Sequence, residues 1–142
     1  MRGLNIPKKI KISLKNLQNK VPLHLNKIRH LTRRLPLYKK PYLNEITVVF
    51  VDDRKIRALN KRFLKINRST DVLAFAGGDI IISSETAQKN ADYFRTSFES
   101  EICLYIVHGF LHLLGYNDKK VFQRSIMRKK EQEILKSIND KL

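Results

Sequence analysis

One stretch limits the possible folds of this chain more than any other. From Glu101 to Leu114 it reads EICLYIVHGFLHLL, with apolar residues on every side of the helix it would form. That is the pattern of a helix enclosed by its own protein, and covering it takes layers of other elements. The spacing predicts a helix from about Ser97 to Leu114, stopped by Gly115, a favourable residue just past a helix end. Cys103 lies inside the run and is the only cysteine. It reads as core packing, and a lone cysteine excludes a disulfide framework or a thiolate zinc knuckle.

The rest of the chain supplies the covering layers. Ile10, Ile12 and Leu14 alternate in NIPKKIKISL, compatible with a first strand, and EITVVFV is β-branched and aromatic throughout. TDVLAF and DIIIS read as two strands joined at Ala76, Gly77 and Gly78, a short hairpin-like connection. Helices are expected over PLHLNKIRHLTRRL, with Leu25, Ile28, Leu31 and Leu35 on one face, and after Asp52 or Asp53, with Ile56, Leu59 and Phe63 facing a core. Two more follow: one capped by Ser83 or Ser84, and a final one over 122–142 whose apolar residues are Phe122, Ile126, Ile134, Leu135 and Ile138. The order β-α-β-α-β-β-α-α-α predicts an α/β (α+β) fold, with one mixed sheet packed by about five helices. No repeat, low-complexity tract or linker divides residues 1–142, so one domain is expected.

The polar exceptions on the enclosed helix share one stripe. At 3.6 residues per turn, Glu101, His108 and His112 fall within an arc of about 40°. Left without partners in a core they would be costly. The histidines could be ordinary hydrogen-bonded core residues, or a metal ion could satisfy both imidazoles. The continuation favours the ion. Gly115 lets the chain turn back, and Asp118 stands ten residues after His108. His-x3-His-x2-Gly-x2-ligand is the spacing with which zincin-type helices assemble three ligands. Two histidines and a carboxylate with an open position form a competent catalytic set for Zn2+, and the carboxylate admits Fe2+ or Mn2+ as well. In those proteases a glutamate general base follows the first histidine. Here that residue is Gly109, which argues against peptide hydrolysis.

Charge points to the partner. The chain carries 29 Lys and Arg against 13 Asp and Glu, a formal +16. No acid precedes Glu45, while that segment holds Arg2, Lys8, Lys9, Lys11, Lys15, Lys20, Lys27, Arg29, Arg33, Arg34, Lys39 and Lys40. Such an imbalance favours an anionic partner, nucleic acid before a membrane surface. No apolar run reaches the length of a membrane span. A soluble, cytoplasmic protein is expected.

At this point the chain resembles the YbeY family of metal-dependent endoribonucleases that mature ribosomal RNA. The family signature H-G-x-L-H-L-x-G-Y-D-H is met by HGFLHLLGYND. Its blocks L-N-x-x-[YF]-R, P-T-D-V-L-S-F and G-D-I-x-I-S are met by LNKRFL, STDVLAF and GDIIIS. Glu101 also falls where the family places a glutamate, and the resemblance spans roughly residues 45 to 120. It implies a four-stranded sheet, a zinc-like ion at the end of the buried central helix, and cleavage of single-stranded regions of ribosomal RNA in maturation and ribosome quality control. Ribosomal proteins are the implied partners. His108, His112 and Asp118 would be both the ligands and the catalytic centre.

The departures are specific. Asp118 replaces the family's third histidine, Asn117 its aspartate, Leu64 an arginine and Ser69 a proline, and the loop between the two hairpin strands is short. Arg62, Lys65 and Arg68 are the cations nearby in sequence that could hold a phosphate in place of the arginine. Glu101, Thr70 and Asp71 are candidates for orienting ligands or a water from behind. Two rivals remain open at this stage: a non-catalytic ribosome-assembly factor with a structural metal, and an RNA-binding domain without one.

Overall fold

The computed structural model describes residues 6–139, with side chains to Ile138. Arg2 and the expected end of the last helix at 140–142 lie outside the described residues. The elements are β1 (Lys11–Asn16), α1 (Leu25–Thr32), β2 (Glu45–Val51), α2 (Asp53–Leu64), β3 (Val72–Phe75), β4 (Asp79–Ser83), α3 (Ser84–Phe94), α4 (Phe98–Leu113) and α5 (Val121–Asn139). They follow the predicted order. The strands form one sheet, β1-β2-β4-β3, in which β1, β2 and β4 run parallel and β3 is antiparallel to β4.

The two central strands bury both faces, which is why β2 and β4 read as nearly continuous apolar runs. Ile46, Val48, Phe50, Ile80 and Ile82 point into a large core with α1, α4 and α5. Val51 and Ile81 point the other way, into a small core with Ile56 of α2 and Leu73. Helix α4 lies in the large core and buries residues around most of its circumference, among them Ile102, Ile106, Val107 and Leu111. Complete burial of a side chain of this size is worth about 1.5–3 kcal/mol. The thiol of Cys103 is buried there too, and that burial, with the charge of Glu99, pushes its pKa up to about 12.

Caps and turns fall where small polar residues and glycines allow them. Asp52, Ser83 and Ser97 each accept a hydrogen bond from the backbone N–H three residues on, at the starts of α2, α3 and α4. Gly78, at φ +104°, passes so close to β2 that a Cβ would sit 2.3 Å from the Glu45 carbonyl oxygen. Only glycine fits that hairpin connection.

Three local expectations are corrected. Helix α1 stops at Thr32: Arg34 and Leu35 donate to carbonyls three residues back, at 3.1 Å each. Pro36 follows, and the residue before a proline is driven out of the helical region. Phe63 is 53% exposed, because α2 rests on the sheet through Ile56 while Phe63 packs edge-on against Phe75 at the rim. On α5 the buried stripe runs through Met127, Ile134 and Ile138, whereas Phe122 and Ile126 lie outside.

Candidate metal centre

His108 and His112 are one turn apart at the C-terminal end of α4, and the chain's reversal brings Asp118 back to them. The reversal is a complete capping turn: Gly115 N–H donates to the His112 carbonyl and Tyr116 N–H to the Leu111 carbonyl, both at 3.0 Å. Gly115 adopts φ +98°, the left-handed conformation this motif requires. Beyond it, Asn117 Oδ1 accepts from Lys119 N–H, and Arg124 of α5 donates to the carbonyls of Asp118 and Lys119 at 3.2 and 3.1 Å. The turn is therefore held from both sides.

The result is a small triangle of atoms with lone pairs. The Nε2 atoms of His108 and His112 are 3.1 Å apart, and Asp118 Oδ2 lies 3.5 and 3.4 Å from them. Ligands 2.0–2.1 Å from a tetrahedral zinc ion stand about 3.3 Å from one another. The separations thus fit a single ion. The side chains of His108, His112 and Asp118 are 26%, 32% and 41% exposed, so the triangle is open to solvent on one side.

The imidazole of His108 is oriented from behind by Glu131 of α5. Glu131 Oε2 lies 3.2 Å from His108 Nδ1. A proton on Nδ1 donated to this carboxylate leaves the Nε2 lone pair facing the triangle, the arrangement that suits a metal-ligating histidine. Burial acts to lower the His108 pKa. The hydrogen bond and charge of Glu131, with the charges of Asp118 and Asp71, overrule it and hold the pKa above the usual imidazole value. Two imidazoles and two carboxylates gathered this closely demand positive charge, from protons or from a cation.

The other expected residues fall in different places. Glu101 shares the helix face of the histidines, but seven residues along the axis amount to about 10.5 Å. Its carboxylate accepts instead from Thr96 Oγ1 at 2.8 Å. Asp71 caps the start of β3 by accepting from Val72 N–H at 2.8 Å, and Thr70 donates to the same oxygen at 3.3 Å. Asp71 still acts on His108 through its charge. Arg62 and Lys65 line a separate depression at the end of α2, where the Arg62 guanidinium stands over the Phe63 ring. The Arg68 carbonyl accepts from Asn60 Nδ2. None of these three cations lines the depression of about 110 Å3 beside His108. Arg124 and Arg128 of α5 do, together with Asp118, Met127 and Glu131.

Glu131, Arg124 and Arg128 were not anticipated. A signal for Glu131 exists: it is an acid four residues from Met127 and seven from Ile138, on the stripe that α5 buries. Gly109, read as the missing protease base, has a packing role. A Cβ there would lie 3.0 Å from side-chain atoms of Ile80 on β4, so any larger residue at this position would press on the sheet.

Comparison with known proteins agrees with this architecture. The family model described as Endoribonuclease YbeY matches residues 5–139. A curated protein of that name from Syntrophus aciditrophicus is 34% identical over 138 residues, covering 87% of this chain and 86% of its own. One from Clostridium botulinum is 32% identical, covering 90% and 98%. A Thermotoga maritima protein solved in solution shares the fold, with a TM-score of 0.55 over 92% of this chain and 93% of its own, at 23% identity.

Proposed function

The chain belongs to the YbeY endoribonuclease family, and from that premise we propose that it cuts single-stranded ribosomal RNA at one divalent ion held by His108, His112 and Asp118. The triangle of lone-pair atoms with sides of 3.1, 3.4 and 3.5 Å carries the reading. Zn2+ suits two imidazoles and a carboxylate best, with Fe2+ or Mn2+ as substitutes. When bound, such an ion supplies Lewis-acid charge against a phosphodiester undergoing displacement and acidifies a water molecule.

The chain's own residues then have distinct tasks. With an ion bound at Nε2, Glu131 would accept the proton that His108 carries on Nδ1. Arg124 fixes the turn that presents Asp118. Arg128, exposed at the same depression and without a carboxylate partner among the described residues, is placed to take non-bridging phosphate oxygens in a forked hydrogen bond. Arg62, Lys65 and Arg68 would serve RNA further along the surface, and Asp71 adds negative charge behind His108. A role in ribosomal RNA maturation and quality control, with ribosomal proteins as partners in the cytoplasm, belongs to the same proposal. Among the described residues no helix is long and apolar enough to cross a membrane. The rival non-catalytic assembly factor is not favoured by membership of an endoribonuclease family.

Metal analysis of the purified chain, paired with cleavage of single-stranded RNA by wild type and His112→Ala, tests the reading. One equivalent of metal and activity lost in the variant are expected. A metal-free active protein would refute the metal role. Metal without cleavage would leave the assembly factor, and equal activity in both proteins would expose a contaminating nuclease.

A further inference from the structure

A concavity not yet accounted for lies at the opposite edge of the sheet from β3, between β1 and α1. It has a volume of about 470 Å3 and is lined by Lys9, Lys11, Arg29 and Arg33 around a floor that includes Ile12 and Leu14. It shares no lining residue with the depression at His108. No carboxylate lines it, and the chain has no acid before Glu45. Lys11 meets Glu45 only at 4.0 Å with both side chains exposed, a pair worth little. The Lys9 ammonium donates to the Arg33 backbone carbonyl at 2.8 Å, which ties the strand side of the groove to the end of α1.

The backbone of β1 adds donors to this surface. Lys11 N–H donates to Asn44 and Leu17 N–H to Phe50, so odd-numbered residues turn towards β2. Ile12 and Leu14 therefore turn their N–H and C=O groups outwards. Ile10 N–H is taken by the Leu37 carbonyl at 2.8 Å, but among the described residues no backbone group meets Ile12 or Leu14 on that side. Exposed N–H groups beside arginine and lysine are the usual partners of phosphate oxygens. An extended peptide could also add to such an edge. Charge decides between them: uncompensated cations gain most from a chain carrying one negative charge per unit.

We propose that the β1–α1 groove is a second RNA site, which grips the sugar–phosphate backbone of single-stranded RNA outside the metal centre. The proposal rests on the reading of the chain as an RNA-cutting enzyme, and it adds where the uncut part of the substrate is held. Leu35 and Leu37 line the groove, while Pro36, Tyr38 and Lys40 between and after them line a separate depression with Leu111, Leu114 and Glu133.

The test is fluorescence anisotropy of a labelled, 2′-O-methylated single-stranded oligonucleotide with the full chain, comparing wild type with Lys11→Gln/Arg33→Gln. Lys20→Gln/Lys136→Gln removes the same charge from exposed positions outside the groove. The groove variant should bind at least about tenfold more weakly, and its salt slope should fall by about 1.4, the value for two lost phosphate contacts on a single strand. Thermal midpoint and metal content should match wild type. Unchanged RNA affinity would overturn the groove while leaving RNA cleavage intact. Equal losses in both variants would overturn it in favour of diffuse charge. An acidic peptide that loses binding in the groove variant while RNA does not would make the partner a protein and sink the proposal. No RNA binding by wild type would instead bring down the reading of the whole chain.

Discussion

Two polar clusters sit at helix ends in this molecule, and they balance their charges in opposite ways. At the start of α2, the Asp53 carboxylate accepts hydrogen bonds from the hydroxyls of Ser83 and Thr86, the latter at 2.6 Å, and from Lys89 at 3.4 Å. Donors from β4 and α3 therefore satisfy it. At the end of α4, two imidazole nitrogens and a carboxylate oxygen converge with Glu131 behind them, and among the described residues no lysine or arginine side chain donates to any of them. A carboxylate by itself says little about function. What separates the clusters is whether the protein supplies the donors. The first is a stitch between elements, and the second is left to draw positive charge from protons or from a bound cation.

The contrast breaks most visibly at the ligands. His112→Ala should lower bound metal from one equivalent to near zero and bring RNA cleavage to background, measured by elemental analysis and gel assay. Chelating the ion from the wild-type endoribonuclease should give the same loss of activity. It should also lower stability by about 2.7 kcal/mol if the ion was present at a hundred times its dissociation constant, readable as a drop in melting temperature. Glu131→Gln keeps the shape but weakens the orienting hydrogen bond, and metal affinity should fall about 10–100-fold. Titration with a metal indicator would measure it.

The stitch should respond in the other currency. Asp53→Ala should cost about 1–3 kcal/mol in urea unfolding by stranding donors, with metal content unchanged. Loss of metal in that variant would erase the distinction between the clusters. The smallest effect concerns acid. Burial tends to raise the Asp53 pKa, but the hydrogen bonds from Ser83 and Thr86 and the charge of Lys89 hold it below 3.8. A depressed carboxyl contributes stability above its unfolded pKa and loses it as pH falls through the folded one. The gap between wild type and Asp53→Ala should therefore be full at neutral pH and close as pH drops below about 4.

The fold was legible wherever burial left a periodic mark. Helix α4 is apolar all round because it is covered all round, and β2 and β4 are apolar because both faces are packed. Phe63, Phe122 and Ile126 misled because an apolar residue on the surface carries no pattern of its own. His108, His112 and Asp118 were legible because one helix and its turn hold all three. Glu131 was hidden because its relation to His108 exists only after α5 docks on α4, 23 residues later. The reach of Glu101 was overestimated for the converse reason: a shared face fixes direction around an axis, not distance along it.

The contact between Gly109 and Ile80 bears on how this scaffold can change over evolutionary time. A peptide-cleaving relative would need a carboxylate directly after the first histidine, where a Cβ already meets Ile80 at 3.0 Å. Such a residue would press its Cβ on the Ile80 side chain, which would have to give by a few tenths of an ångström. A smaller residue at position 80 would relieve that contact but would leave a cavity in the core. Close packing between helix and sheet thus weighs against a carboxylate directly after the first histidine.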